Sequence, residues 1–365
     1  MSVSSFFSKH VEVLKSTFEI TIACSDPQAL TDRDMFSSLT LLSVPITRQP
    51  SPWSDLRALY RLLSITRRVK PDLTLSVGPK AGLLGMLSAW LLRVPSRLHW
   101  FTGQVWSTKS GASRTVFASL DAKIAQMTTL ALIDSPSQAA FLEDCGVVKH
   151  GQYLVLGHGS ICGVDTQRFK PNAWARSTVR QRLHIDESET VICFLGRLRD
   201  EKGVFELLEA SRTVQRTHSH ILILAGPDEE HIRQRTEALG LDGSHVRWTG
   251  QVSQPEQILA AADVLCLPSY REGFGLVVIE AAACGIPAIA SDVVGLRDSV
   301  IDGVTGLLVE VRNTQKLAAG MRELIGRPEL RAQMGIEARD RVLAYFQADL
   351  VSGLLEEALL GELNR

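Results

Sequence analysis

The chain has 365 residues, 45% of them hydrophobic and 22% charged, with a formal net charge of −1. It exceeds the ~250 to 300 residues at which a single core stops growing, so two ordinary domains are expected, and the composition excludes disordered, fibrous and coiled-coil chains. The charge is unevenly divided: residues 1–170 hold 18 Lys/Arg against 12 Asp/Glu, an excess of 6 positive charges, and the remainder holds 21 against 28, an excess of 7 negative. A basic first half suits anionic lipid or a phosphate-bearing acceptor, and equally an ordinary solvated surface.

The six cysteines (Cys24, Cys145, Cys162, Cys193, Cys266, Cys284) are scattered without a C-x-x-C pair and read as buried thiols of a reducing compartment. The longest apolar stretch, Ala81 to Leu92, is shorter than the ~20 residues that span a bilayer. The N-terminus lacks the basic and apolar regions of a secretory signal, so a cytoplasmic location is expected.

The chain opens with Ser4-Ser5-Phe6-Phe7 leading into a helix. Doubly wound folds usually place a strand ahead of that helix, so a first strand is expected to be missing. Strand-like segments follow at Phe18–Ala23, Leu73–Val77, Arg97–Phe101, Leu130–Ile133 and Tyr153–Leu156. Between the first two, Leu56, Leu59, Tyr60 and Leu63 recur at helical spacing and stop before Pro71. Strands alternating with helices imply a parallel sheet covered on both faces. Gly163 to Ser177, with Pro171 and few apolar residues, reads as a linker. A second α/β series then runs through Thr190–Leu195, Ile221–Ala225, Val246–Thr249, Val264–Leu267 and Ala288–Ala290, with Val204, Leu207, Leu208 and Val214 inward on the first crossover helix. The expected division is an N-terminal domain at 1–170, a C-terminal domain at 171–345 and a helix at 346–365 that packs back on the first domain. Two such domains would face one another across a cleft at the carboxyl ends of their strands.

Two segments carry chemistry. Leu267-Pro-Ser ends a buried strand, Arg271-Glu-Gly-Phe-Gly275 turns, and Leu276 onward reads as a helix closed by Gly285 and Pro287. Free N–H groups and the positive helix end at Gly275 and Leu276 would face an anion such as diphosphate. Glu272 and Glu280 would bracket it as acceptors for hydroxyl groups. Eight-residue Glu spacing is common, but a carboxylate in the apolar run Leu276-Val-Val-Ile-Glu-Ala-Ala-Ala-Cys is costly without a partner. The second segment is Phe194-Leu-Gly-Arg-Leu-Arg-Asp-Glu-Lys-Gly203, where Arg197 and Lys202 lie at the same sheet edge and suit a diphosphate. The plain alternative pairs Arg197 with an Asp or Glu and leaves Lys202 in water.

Gly196-Arg197 with Lys202-Gly203, the Glu272-to-Glu280 spacing, Gly163-Val-Asp-x3-Phe169 and Ala225-Gly-Pro227 together resemble the retaining glycosyltransferases of family 4, which have the GT-B fold of two Rossmann-like domains. The resemblance implies that Arg197 and Lys202 bind the donor diphosphate and that Glu272 contacts the sugar. It further implies that Glu280 takes the ribose hydroxyls, that the backbone of Gly273, Phe274, Gly275 and Leu276 meets sugar and phosphate, and that Val252 lies at the nucleobase. Glu272, Arg197 and Lys202 are then the catalytic group.

His99-Trp-Phe-Thr-Gly-Gln-Val-Trp106, Asp134-Ser-Pro-Ser-Gln138 and Leu156-Gly-His-Gly-Ser-Ile-Cys-Gly-Val-Asp165 are similar to bacterial enzymes that build lipid-linked O-antigen, capsule or exopolysaccharide units. That likeness implies a nucleotide-sugar donor, UDP-linked by family precedent, and an undecaprenyl-diphosphate-linked or glycan acceptor. It also implies peripheral contact with the anionic inner membrane, and no nucleic acid, cofactor or metal. His99, Thr102 and Gly103 are the acceptor-side candidates. Many family members have His-Gly where this chain has Thr102-Gly103, which weakens the case for a catalytic histidine; Asp134 and Ser135 equally suit a helix cap.

Other classes fit less well. The only Asp-x-Asp, Asp32-Arg-Asp34, follows no strand and is rejected as a metal site, and no Gly-x-Gly-x-x-Gly of a dinucleotide enzyme occurs. A sugar-nucleotide epimerase or a catalytically silent donor-binding partner of another transferase share the fold and remain alternatives.

Overall fold

The computed structural model describes residues 6–31, 34–47 and 51–365. Ser4, Ser5 and the Asp32-Arg-Asp34 side chains lie outside the described residues. The chain forms two compact units, one of residues 1–163 with 348–365 and one of residues 164–347.

In the first unit all pairings are parallel. Strands β1 (Thr21–Cys24) and β2 (Thr40–Ser43) form a two-stranded sheet, and β3 (Leu73–Val77), β4 (Ser96–Phe101), β5 (Leu130–Ile133) and β6 (Tyr153–Val155) form a four-stranded sheet in chain order. The first described helix, Ser8–Leu14, precedes β1. Every residue of β5 is buried, as a strand covered on both faces requires. Phe101, Trp106, Ile124 and Ile133 fill the core beside it. The helix anticipated around Leu56–Leu63 extends over Pro52–Val69: Pro52 pre-sets its first turn, and Lys70 closes it in the left-handed conformation ahead of Pro71. The last helix, Ala348–Leu363, packs on Ser8–Leu14, with Lys9 2.7 Å from Asp349 and Thr17 donating to Glu356 at 2.5 Å.

The second unit is a six-stranded parallel sheet in the order β12-β11-β10-β7-β8-β9. Its strands are β7 (Val191–Leu195), β8 (Ile221–Ala225), β9 (Val246–Gly250), β10 (Val264–Leu267), β11 (Ala288–Ser291) and β12 (Gly306–Val309). This is a doubly wound Rossmann order, and the direction of strand addition reverses between β7 and β10. All residues of β7, β8 and β10 are buried. Two strands went unseen in the sequence, β2 and β12. Both are short edge strands with partly exposed residues, so neither shows a strong alternating or all-apolar pattern.

The anticipated linker is partly helical. Asn172 accepts a hydrogen bond from the Ala175 amide and starts a helix over Ala173–Arg182, from which Arg180 enters the core. Its guanidinium is fully buried, donating to Asp263 Oδ2 at 2.8 Å and to the carbonyls of Ala261, Asp186 and Glu189 at 3.0 to 3.1 Å.

Candidate donor-binding site

Ligands of open α/β sheets bind beyond the carboxyl ends of the strands, at the point where strand order reverses. In the second unit that point lies between β7 and β10, and the two chemistry-bearing segments are the loops that follow these two strands. The fold thus brings the Gly196–Gly203 and Pro268–Gly275 loops together. A Cβ at Gly203, whose φ is +70°, would collide with the Pro268 carbonyl, so glycine is required for the loops to approach this closely. The Tyr270 amide donates to the Glu201 carbonyl at 2.9 Å and Arg271 donates to the Glu201 side chain at 3.0 Å, which fastens one loop to the other. Tyr270 is held from a third side: its hydroxyl donates to Glu206 at 2.5 Å, and Arg312 lies over its ring at 4.3 Å.

On this frame Lys202 donates to Glu272 Oε1 at 2.5 Å, with both side chains largely buried. Arg197 is partly exposed and donates to Glu229 Oε2 at 3.3 Å. The loop after β8 also supplies Glu230, which accepts from Arg199 at 2.9 Å and from the Asp200 amide at 2.8 Å. Each of the two candidate diphosphate cations therefore already has a carboxylate partner. Sequence reading missed Glu229 and Glu230; the signal was available in Gly226-Pro-Asp-Glu-Glu230 directly after a buried strand, but a run of acids reads first as a solvated loop.

Gly275, at φ +80°, is the cap of the Leu276–Ala283 helix, and being glycine it brings no side chain to cap the opening N–H groups. Gly273, Phe274 and Leu276 flank it, Phe274 being buried against Phe346 with ring centroids 5.4 Å apart. Glu280 lies on this helix and keeps part of its surface accessible, yet protein surrounds it closely. That burial pushes its carboxyl up to about 7; Arg168 pulls it down and Glu256 adds repulsion. Arg168 and Glu256 are themselves paired at 2.8 Å. Val252 follows β9, the outermost strand on its side, and packs partly against the core.

In the first unit, His99 and Thr102 line a small hollow with Gly78, Pro79, Phe101, Gln104 and Asp121, and Gly103 adjoins it. His99 is buried, hydrogen-bonds Ser76 at 2.8 Å and packs edge-on to Phe101 at 4.5 Å. Burial lowers its pKa to about 3, so the ring is neutral across the physiological range. Ser135 caps the Pro136–Asp144 helix by accepting from the Gln138 amide at 3.3 Å. Asp134 beside it is buried and pushed up to about 8 by desolvation. Among the described residues, no group of three or more His, Cys, Asp or Glu is placed to hold a metal ion.

Known proteins resemble the chain in both units. A family model described as Glycosyl transferases group 1 matches residues 175–341, and one described as Glycosyl transferase 4-like domain matches residues 11–159. The capsular polysaccharide biosynthesis glycosyltransferase CapM of Staphylococcus aureus is 27% identical over 347 residues, 94% of this chain and 90% of CapM. A D-inositol 3-phosphate glycosyltransferase of Segniliparus rotundus is 35% identical over 181 residues, spanning 47% of this chain and only 40% of that enzyme. Among solved structures, sucrose-phosphate synthase from Thermosynechococcus elongatus aligns with a TM-score of 0.79 at 24% identity, covering 97% of this chain and 92% of that one. Anabaena HepE, solved in complex with UDP and glucose, aligns with a TM-score of 0.82 at 20% identity, covering 98% and 96%. The strand order, the site loops and these likenesses define a glycosyltransferase enzyme of the GT-B fold. The two models, one for each half of the chain, together match most of its length and support a transferase of the family 4 type.

Proposed function

We propose that this enzyme moves a hexose or N-acetylhexosamine, with retention, from a UDP-sugar to a lipid-linked or polysaccharide acceptor in the assembly of cell-surface glycan. The observation that carries the reading is the meeting of Arg197, Lys202, Glu272 and the Gly275–Leu276 helix start at the strand-order reversal of the second unit. A diphosphate there would be met by two cations and a positive helix end. The solved UDP complexes of HepE and the capsule-building role printed for CapM support the donor and acceptor classes.

Chemically, the bond between the sugar's anomeric carbon and the diphosphate breaks as the acceptor oxygen bonds that carbon on the same face. The departing diphosphate oxygen takes the acceptor proton, while Arg197 and Lys202 stabilise the negative charge that develops. Glu272 contacts the sugar and Glu280 accepts from the ribose hydroxyls. Such a reaction needs no histidine base, which accords with a buried, neutral His99. The scheme also calls on no metal or cofactor. With an acceptor carried in the membrane, the enzyme would work as a peripheral protein at the inner face.

The test is turnover of a panel of UDP-sugars with and without a lipid-linked acceptor analogue, with the anomeric configuration of the product read by NMR. Transfer with retention supports the reading. An isomerised nucleotide-sugar formed without acceptor would show an epimerase, and donor binding with no product under any condition would show a silent binding partner.

A further inference from the structure

The Pro52–Val69 helix of the first unit buries Ala58 and Ile65, with Leu59 and Leu62 packed partly beside them on Val44 and Leu84. On a helix so anchored, the opposite line of residues should be polar. Instead it carries Trp53, Leu56 and Tyr60, three and four residues apart, with 84%, 59% and 74% of their surfaces exposed. Arg57, Arg61, Arg67 and Arg68 stand exposed among and beside them, and none makes an ion pair among the described residues. The helix has one acidic residue, Asp55, and it is turned away from this role: it pairs with Lys80 at 2.6 Å and accepts from the Ser51 amide at 3.1 Å.

Three large apolar side chains and four arginines without a carboxylate partner among the described residues, all on one outward face, form an unusual surface for contact with water. Tyr and Trp present an apolar body with a polar tip, and arginines carry charge on long apolar stems; both settle at the boundary between lipid headgroups and acyl chains. No helix among the described residues is long and apolar enough to cross a membrane, so the contact can only lie along the surface in these segments. We propose that the outward face of the Pro52–Val69 helix is the surface on which this enzyme rests on an anionic bilayer: Trp53, Leu56 and Tyr60 enter the interface, and the four arginines meet lipid phosphates. The positive charge, uncompensated among the described residues, selects a lipid surface over an apolar protein groove, since a protein partner would need carboxylates matched to each arginine. The inference deepens the reading of a membrane-borne acceptor and rests on it for its biological sense, but it is physically independent of the donor site.

The experiment is co-sedimentation of the full-length chain with vesicles of phosphatidylcholine alone and of phosphatidylcholine mixed with phosphatidylglycerol, at low and high salt. The expected result is binding to the anionic vesicles only, weakened by salt. Each arginine near an anionic surface contributes about a fivefold gain in partitioning, so Arg57→Ser combined with Arg61→Ser should lower it by on the order of tenfold or more. Trp53→Ser with Tyr60→Ser should lower it at constant charge. All four positions are on the surface, and wild-type circular dichroism and an unchanged unfolding midpoint verify that these variants are folded. Failure of the folded wild-type chain to bind anionic vesicles, or binding that both double variants retain, would overturn the assignment. Association of this face with a protein in place of lipid would do the same. Loss of UDP binding in Lys202→Ala with vesicle binding intact separates a fault in the donor site from a fault in this surface.

Discussion

Lys202 and Glu272 meet at 2.5 Å, and Arg197 meets Glu229 at 3.3 Å, so an incoming diphosphate must compete with two carboxylates. Glu229 also lies 3.7 Å from Arg199. Neutralising it in Glu229→Gln frees Arg197 without removing a cation, and UDP affinity measured by calorimetry should rise several-fold. Arg197→Ala should lower that affinity by about tenfold, the magnitude of one charge-assisted hydrogen bond. Glu280 supplies a pH signature. Its carboxyl, raised to about 7 by burial, becomes a full acceptor only as it ionises, so UDP affinity should increase as pH rises through about 7. Glu280→Gln should be weaker and keep only the shallower pH dependence of the UDP phosphate itself; a wild-type profile no steeper than the variant's would contradict a carboxyl raised to about 7. Arg197, Lys202, Glu272 and Glu280 were legible because each stands out against glycine or an apolar helix at a strand end. Glu229 was not, since its importance depends on which arginine the fold sets beside it.

At the scale of elements, the sheet order sets the site, and the core around Arg180 sets the sheet. Arg180 and Asp263 join the Ala173–Arg182 helix to the start of β7, since Asp263 Oδ2 accepts from the Val191 amide at 2.7 Å as well. Removing Arg180 leaves Asp263 its second partner, Arg176 at 2.8 Å, but strands the Ala261, Asp186 and Glu189 carbonyls, at a cost of about 1 to 3 kcal/mol. Arg180→Ala should show that loss in urea unfolding. A change under about 1 kcal/mol would mean that the pair contributes little beyond what surface pairs do. Gly203→Ala should reduce donor binding by pushing the two site loops apart. Buried strands such as β7, β8 and β10 announced themselves as apolar runs, whereas β2 and β12 are short, half-exposed edges. The helix at Ala173–Arg182 hid behind Pro171 and a polar composition, because the residue that anchors it, Arg180, is one that sequence statistics place outside.

For the molecule as a whole, the two units were legible as alternating strands and helices, and residues 348–365 group with 1–163, in line with the expectation that the last helix packs back on the first domain. Buried titratable groups give both units a dependence on pH. His220, hydrogen-bonded to Ser211 at 2.8 Å beside His245, is held near 4 by burial. Its contribution to stability is complete above the unfolded value of about 6.5 and is lost as pH falls towards 4. His220→Gln should therefore lower Tm at pH 7 and flatten the decline on acidification. Asp134 has the opposite sign: raised to about 8, it favours the folded state below its unfolded value near 3.8, and that contribution is lost as pH rises through 8.

The second unit is proposed to hold a nucleotide diphosphate at the β7–β10 reversal, and calorimetric titration of the purified chain with UDP decides whether it does. The expected result is saturable binding that is lost in Lys202→Ala and in Glu280→Ala while both variants keep the wild-type circular dichroism spectrum. Absence of UDP binding by folded protein, or binding of wild-type strength in both variants, would contradict it.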